Sequence, residues 1–368
     1  MLGSIVAGLL LFELGCRLMN GPKALLDWHN LVLTSRIAER NVAAREQKAS
    51  YVYDPTLGFL NAPGFEAPNL SFDARGFRRM PPLSLGAAAE PPILATGDSY
   101  TKGDEVTDFE AWPARLQQLV GRRTINAGVG AFGLDQIVLN TERLVSSEKP
   151  GLVIVGFIVD DLRRAEMSRM WGREKPYFEF AGSGLVLRNV PVPETPDPRQ
   201  TLSPLQAVLG WSVLLDTVLD RLRLRDEWHM DHVRALPSGT GERLACPLMQ
   251  RLAALKLPTL VVAQYLPTGW EDAALGAEEH RAARVVLKCA EQAGLGALDL
   301  HDVMGAAVKQ EGRAAIYSEW HPNAHGQLIT ARAVAGESQR RGLLPNRISP
   351  LPHSHGEVPA SSRAMGFP

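Results

Sequence analysis

Short apolar runs alternate along the chain with segments of helical periodicity, which is the pattern of repeated βα units. The runs that predict strands are 93–96, 124–126, 152–157, 259–264 and 297–300. Residues 152–157 are apolar throughout, as expected of a central parallel strand that is covered on both faces. The intervening helices are predicted at 112–120, 134–147, 281–293 and 324–341. This order predicts an α/β fold, a three-layer αβα sandwich around a parallel sheet.

The pattern divides the chain into successive parts. They are an N-terminal segment 1–20, a preamble 21–91, a main domain 92–345 with an insertion at about 166–245, and a tail 346–368. The preamble has a predicted helix at 23–45 and a turn-rich stretch at 54–82. The insertion contains a helical stretch near 205–225. The tail is rich in Pro, Ser and His without periodicity, which predicts disorder.

The first 19 residues are apolar apart from small polar positions, Glu13 and Arg17. The apolar run 5–12 is shorter than the roughly 20 residues that cross a bilayer. No basic residue precedes this run, and no clean small-residue cleavage site follows it. We expect an N-terminal membrane anchor or export signal, with a simple amphipathic helix as the alternative. The expected location is therefore the cell envelope, membrane-anchored or periplasmic.

Composition limits the functional classes to which the chain can belong. The 368 residues are 45% hydrophobic and 21% charged, with a formal net charge of -1, so the chain is globular and has no basic field for nucleic acid. Its three cysteines are too few for a metal cluster, and we predict neither a metal nor a cofactor. Cys246 and Cys289 can pair in an oxidising compartment, but two buried free thiols are the favoured expectation.

Three loops follow predicted strands or precede the last helix, which is where an open parallel sheet carries its ligand site. The loops are Gly97-Asp98-Ser99, the glycine-rich stretch 126–133 and the stretch 319–323. A serine hydroxyl attacks a carbonyl only when a base removes its proton. His321 is the candidate base, and Glu319, two residues before it, is the candidate acid that orients the imidazole. Ser99 is the candidate nucleophile.

These loops together resemble the SGNH/GDSL hydrolases, over roughly 92–342 of the chain. Gly97-Asp98-Ser99 is similar to the first block of that family, 126–133 to the second, and Glu319 to Asn323 to the last. Val159-Asp160-Asp161 stands where the family has its third block. The stretches 72–78, 112–116 and 175–193 are similar to bacterial envelope members. The resemblance implies a flavodoxin-like sheet and a serine esterase.

The resemblance also implies an oxyanion hole made by the backbone N–H groups of Ser99 and Ala131 with a side chain from the third block. That side chain is normally an asparagine amide, and here it is Asp160. A carboxyl group donates a hydrogen bond only when it is protonated. Glu319 likewise replaces the usual aspartate, and Ala131 replaces a glycine but keeps its backbone N–H.

Three functions fit these residues. The first is an esterase that removes acyl groups from a carbohydrate or another small ester through an acyl-enzyme. The second is an O-acyltransferase that passes the acyl group from the same site to a polysaccharide hydroxyl. The third is a non-catalytic binding module, which Asp160 and Glu319 keep open. The expected partner is an acylated small molecule or carbohydrate, with attachment to a membrane through the N-terminus.

Overall fold

A computed structural model of the chain describes residues 2–46, 50–83, 90–182, 184–194, 197–230 and 238–345. Its helices are α1 (Leu2–Met19), α2 (Pro22–Leu26), α3 (Leu31–Glu46), α4 (Ser99–Lys102), α5 (Trp112–Val120), α6 (Leu134–Glu148), α7 (Val159–Ala165), α8 (Pro204–Leu209), α9 (Val213–Arg221), α10 (Arg225–Met230), α11 (Glu242–Ala253), α12 (Ala273–Gln292), α13 (His301–Glu311), α14 (Arg313–Ile316) and α15 (Ala324–Arg340). Its strands are β1 (Tyr51–Asp54), β2 (Gly58–Asn61), β3 (Glu66–Ala67), β4 (Leu70–Ser71), β5 (Ile93–Thr96), β6 (Thr124–Asn126), β7 (Leu152–Phe157), β8 (Arg169–Met170), β9 (Arg173–Glu174), β10 (Tyr177–Ala181), β11 (Gly184–Arg188), β12 (Thr259–Ala263) and β13 (Gly296–Asp299).

Five strands form the central sheet in the order β13-β12-β7-β5-β6, and every pairing is parallel. Numbered along the chain, this is the flavodoxin-like order 2-1-3-4-5. The strand order reverses between β5 and β7, so the ligand crevice of such a sheet lies beyond the carboxyl ends of these two strands. The predicted strands and the α/β sandwich are confirmed.

Helices cover both faces of this sheet. Helices α6, α11 and α12 pack on one face, where Val153 and Val155 of the central strand point into their core. Helices α5, α13 and α15 pack on the other face, over Leu152 and Ile154. Successive side chains of a strand point to opposite faces, so a strand buried on both sides has to be apolar throughout. The continuous apolar run of β7 meets this requirement.

Two predicted helices differ from the observed ones because capping side chains set their ends. Asp272 accepts hydrogen bonds from the backbone N–H groups of Ala274 and Leu275, so α12 begins at Ala273 and not at 281. The helix predicted at 23–45 is split into α2 and α3, because the Asn30 side chain accepts from Leu33 N and starts a new helix. Such caps satisfy N–H groups that have no intrahelical partner.

The preamble packs directly on the main domain. Leu57 and Phe59, from the hairpin of β1 and β2, belong to the core on the α6 side. The Gln136 side chain of α6 donates to Leu57 O at 2.8 Å, and Arg78 forms an antiparallel bridge with Asn126 of β6. Residues 50–83 therefore contribute to the core of the domain that was predicted to begin at 92, and one isolated bridge joins them to its sheet.

The insertion is fastened to the main domain by a buried ion pair. Lys175 Nζ lies 2.6 Å from Asp135 Oδ2 at the start of α6, and both side chains are fully buried. Burial raises the pKa of Asp135 to about 6, although Lys175 opposes that shift. Removing one member of such a pair leaves an uncompensated buried charge, which costs about 3–5 kcal/mol. The pair therefore holds the start of the insertion against α6.

Helix α1 packs on α9 through its two charged residues. The Glu13 carboxylate accepts hydrogen bonds from Val213 N and Leu214 N, both at 2.9 Å, at the start of α9, and Arg17 pairs with it at 2.7 Å. The two charged side chains are thus buried against α9, while large apolar side chains of α1 are exposed to solvent. These are Ile5, Val6, Leu9, Leu10, Leu11, Phe12, Leu14, Leu18 and Met19. Within the described part of the chain, no helix is long and apolar enough to span a membrane.

Cys246 and Cys289 form a disulfide bond, so the expectation of two buried free thiols was wrong. Helices α11 and α12 pack side by side and bring the two Cα atoms to 4.6 Å, within bonding geometry. Their spacing along the sequence does not reveal this approach, because it depends on how the two helices pack. The tail predicted to be disordered, 346–368, lies outside the described residues.

Candidate active site

Ser99 is placed by a sharp turn at the carboxyl end of β5. A Cβ atom added to Gly97 would lie 2.1 Å from Thr101 Oγ1 and 2.7 Å from Gly156 O, so only glycine fits there. Asp98 accepts a hydrogen bond from Tyr100 N and caps the short helix α4, which begins at Ser99. The serine therefore stands at the crevice that the strand order predicts.

His321 reaches this serine from the opposite end of the domain. Its Nε2 atom lies 2.9 Å from Ser99 Oγ, so the structure brings these two residues together. Asn323 caps α15 and fixes the loop that carries the histidine. Tyr100 supports the same loop, because its hydroxyl donates to Trp320 O at 2.7 Å and its ring packs on the imidazole. Tyr100 therefore fixes the position of the His321 loop relative to Ser99.

Glu105, and not Glu319, holds the other nitrogen of the imidazole. Glu105 Oε1 lies 3.0 Å from His321 Nδ1, and Oε2 accepts from Glu319 N at 3.1 Å. The prediction for Glu319 is therefore corrected: its backbone contacts the acid, while no described hydrogen bond joins its carboxylate to the ring. A side chain two residues before the histidine points away along the loop, whereas Glu105 faces the loop across the cleft.

Glu105 gives little signal in the sequence. It follows α4 in a polar loop, six positions after the serine and far from the block that carries His321. Its backbone adopts φ 66, a left-handed conformation that is uncommon for glutamate. Strained backbone of this kind costs about 1–3 kcal/mol and persists where surrounding contacts enforce it.

Arg78, the last residue of the preamble stretch 72–78, supplies those contacts. Its buried guanidinium donates to the carbonyl oxygens of Lys102 at 2.7 Å and Val106 at 2.6 Å, and to Gly103 O. Its Nε also donates to Asp108 Oδ1 at 2.9 Å. One side chain thus binds the loop on both sides of Glu105 and holds the carboxylate towards His321.

Two backbone N–H groups are free at the position expected for an oxyanion hole. The N–H groups of Ser99 and Ala131 find no acceptor among the described residues, and Ala131 has a left-handed backbone with φ 63. Asp160 lines the same cleft, but its carboxylate lies 2.5 Å from Arg163 Nη1 and 3.9 Å from Arg164 Nη2. An ionised carboxylate only accepts hydrogen bonds, so Asp160 does not replace the donating amide of the resembled family.

Two buried acids lie behind the nucleophile. Burial raises the pKa of Asp98, and it raises the pKa of Asp161 well above its ordinary range, with Asp98 adding to that rise. Arg164 Nη1 lies 2.9 Å from Asp161 and 3.8 Å from Asp98. Asp98 therefore serves to cap α4, and Asp161 forms an ion pair with Arg164.

The cleft around Ser99 has a volume of about 580 Å³ and opens between aromatic and cationic side chains. Its walls include Tyr51, Lys102, Arg173 and two exposed tryptophans, Trp171 and Trp320. In the parts of the chain that the structure describes, no group of three or more His, Cys, Asp or Glu side chains is arranged to hold a metal ion. The cleft brings together a serine hydroxyl, an imidazole and a carboxylate.

The chain is similar in structure to three solved proteins described as a hydrolase, an esterase and a lipolytic protein. LAE5, an alpha/beta hydrolase from the metagenome of Lake Arreo, Spain, is 14% identical over 68% of this chain and 96% of its own, with a TM-score of 0.44. Axe2, an acetylxylan esterase from Geobacillus stearothermophilus, is 16% identical over 69% and 96%, with a TM-score of 0.41. A putative G-D-S-L family lipolytic protein from Desulfitobacterium hafniense is 14% identical over 67% and 99%, with a TM-score of 0.37. No protein-family model and no curated protein sequence matches the chain.

Proposed function

We propose that this protein is a serine esterase that cleaves acyl esters through an acyl-enzyme. The observation that carries the proposal is the continuous chain of hydrogen bonds from Ser99 through His321 to Glu105, at 2.9 Å and 3.0 Å. A nucleophile, a base in contact with it and an acid that orients the base are the parts of a catalytic triad. They lie at the crevice where a sheet of this order carries its ligand.

The chemistry follows from these positions. His321 Nε2 takes the hydroxyl proton as Ser99 Oγ bonds to the ester carbonyl carbon, and the carbonyl oxygen becomes an oxyanion beside the N–H groups of Ser99 and Ala131. The imidazolium returns the proton to the departing alcohol, and Glu105 stabilises its charge. Water then repeats the sequence on the acyl-serine and releases the carboxylic acid.

The first test is hydrolysis of p-nitrophenyl acetate and butyrate by the full chain, together with labelling by a fluorophosphonate. A serine that is activated by an adjacent base reacts with both reagents. We expect p-nitrophenol release and one covalent adduct per chain, located by peptide mass spectrometry at Ser99. Folded protein that neither hydrolyses the esters nor takes up the phosphonate would favour the binding-module function.

We propose further that the alcohol part of the substrate is a carbohydrate. The support is the pair of tryptophans at the cleft, since Trp171 is 44% exposed and Trp320 is 53% exposed. Large aromatic rings are costly to leave in water, and exposed rings beside a reactive centre commonly serve binding. The flat apolar face of an indole fits the C–H face of a sugar ring, while the cationic and polar walls fit its hydroxyl groups.

Trp171→Ala and Trp320→Ala are each expected to raise the KM for glucose pentaacetate about threefold to tenfold, because stacking on one aromatic ring contributes about 0.5–1.5 kcal/mol. The KM for p-nitrophenyl acetate, which has no sugar ring, should change less than about twofold. Phe109→Ala removes an exposed ring from another groove and is the matched control. Equal losses on both substrates would count against a sugar platform and leave the esterase proposal standing.

We infer that the protein works in the cell envelope, attached to a membrane surface by its N-terminal helix. The disulfide between Cys246 and Cys289 supports an oxidising compartment, where such bonds persist. The exposed apolar face of α1, with Glu13 and Arg17 turned inward, supports contact with an apolar phase.

Two measurements test the location. Cells are fractionated to find the protein, and a separate acid-quenched sample is denatured and alkylated with a polyethylene glycol maleimide to count its free thiols. We expect the protein in the membrane fraction with one reactive thiol, that of Cys16, and three after reduction. Three reactive thiols without reductant, or recovery in the soluble cytosolic fraction, would contradict the inference.

A further inference from the structure

The oxyanion hole of this site has two backbone donors and lacks the expected side-chain donor. Asp160 occupies that position in the sequence, but its carboxylate accepts from Arg163 at 2.5 Å. Removing one donor from an oxyanion hole typically costs about 100- to 1,000-fold in rate. An active enzyme with this cleft therefore needs a donor from another element.

Tyr51 and Lys102 form a pair in the wall of the same cleft. Lys102 Nζ donates to Tyr51 Oη at 3.0 Å and pairs with Asp104 Oδ1 at 2.9 Å. An ammonium group has no acceptor capacity, so the tyrosine oxygen must accept in this bond and its own proton is left for another partner. Among the described residues, none accepts that proton. The hydroxyl is thus a donor that the protein itself leaves unused.

The Tyr51 hydroxyl lies against Gly130, in the glycine-rich stretch 126–133 that also contains Ala131. A Cβ atom added to Gly130 would stand 2.5 Å from Tyr51 Oη and 2.9 Å from Lys102 Nζ, so a glycine is required for both groups to approach. Gly130 directly precedes Ala131, whose backbone N–H is one of the two oxyanion donors. The phenol and the ammonium therefore stand beside the position where negative charge develops.

The pair is held rigidly and carries a positive charge. Phe59 packs edge-on against the Tyr51 ring with centroids 5.6 Å apart, and Arg173 Cζ lies 4.7 Å from the ring centre. Burial lowers the pKa of Lys102, but Asp104 and Tyr51 more than offset this and hold the pKa above its usual range. A fixed cation that donates to a hydroxyl oxygen polarises the O–H bond and makes it a stronger donor.

We propose that Tyr51 is a catalytic residue, whose phenolic O–H donates a hydrogen bond to the oxyanion in place of the missing amide. Lys102 is the positioning residue: its ammonium group donates a hydrogen bond to the Tyr51 oxygen, so the phenolic proton points into the cleft. No bond is broken in this step, and the proton stays on the tyrosine oxygen. The proposal rests on the esterase function, and it makes the preamble part of the catalytic machinery.

The experiment compares Tyr51→Phe with Tyr53→Phe, which loses a phenol from the same strand whose hydroxyl donates to Val192 O. With p-nitrophenyl acetate, Tyr51→Phe should lower kcat about 100-fold with KM within about twofold, and slow fluorophosphonate labelling in parallel. Tyr53→Phe should keep kcat within about threefold. Thermal unfolding of both variants shows whether the fold is retained.

Lys102→Met supplies a second, independent test through non-additivity. If Lys102 acts only through Tyr51, adding Lys102→Met to Tyr51→Phe should change kcat by no more than about threefold relative to Tyr51→Phe alone. An unchanged kcat in Tyr51→Phe, or a change confined to KM, would overturn the assignment while leaving the esterase intact. A wild-type protein that is neither active nor labelled would overturn the esterase function and this inference with it.

Discussion

Ser99→Ala is expected to lower kcat/KM for p-nitrophenyl acetate by more than about 10⁴-fold, because Ser99 Oγ is the one group among the described residues that bonds to His321 Nε2. Alanine removes the oxygen that attacks and leaves the backbone N–H donors in place. A small residual rate from the oxyanion hole alone is expected to remain. The measurement is the steady-state rate, checked by the absence of a phosphonate adduct.

Ser50→Ala is the matched control for this variant. Ser50 lines the same cleft, and no described hydrogen bond joins its side chain to the imidazole. Its hydrolysis rate should stay within about threefold of wild type. Full activity or full labelling of Ser99→Ala would mean that the nucleophile lies elsewhere and would end the acyl-enzyme proposal for this site.

Glu105→Gln is expected to lower kcat about 10²- to 10⁴-fold with a much smaller change in KM. The amide keeps the size of the side chain but loses the charge that stabilises the imidazolium, and its NH₂ group can turn towards Nδ1 and favour the wrong tautomer. The effect falls on kcat because the charge on His321 exists only after proton transfer.

Glu319→Gln separates this assignment from the one favoured by the sequence. Glu319 is the nearest acid to the histidine along the chain, yet its side chain makes no described contact with the ring. We expect its kcat to stay within about threefold of wild type. The reverse result, a large loss in Glu319→Gln and a small one in Glu105→Gln, would reinstate Glu319 as the orienting acid.

The central sheet was predictable because its strands are buried on both faces and read as continuous apolar runs. Ser99 and His321 could be singled out because they lie three residues after β5 and three residues before α15, and because the two loops occur in the order of the resembled family. The hairpins β3–β4 and β8–β9 were missed because their strands have only two residues, too few for a periodic signal. Strands β1, β2, β10 and β11 are longer, but they are exposed in part and none of them is apolar throughout. Helix α13 was missed as well.

The site residues that sequence analysis did not identify were missed for one physical reason. Glu105 and Tyr51 lie near Ser99 and His321 through contacts between segments that are distant along the chain, and Lys102 contacts Tyr51 in the same way. Their positions depend on how the loop after α4 and the hairpin of β1 and β2 pack. The disulfide depends in the same way on the packing of α11 against α12.

Arg78 also determines how much of the chain the proposed site needs. A guanidinium from the segment before the sheet binds Lys102 O, Gly103 O and Val106 O, on both sides of Glu105. The smallest segment that could carry the proposed site into another protein therefore begins near residue 50. Grafting the sheet alone would carry over Ser99 and His321 without the guanidinium that holds the loop of Glu105.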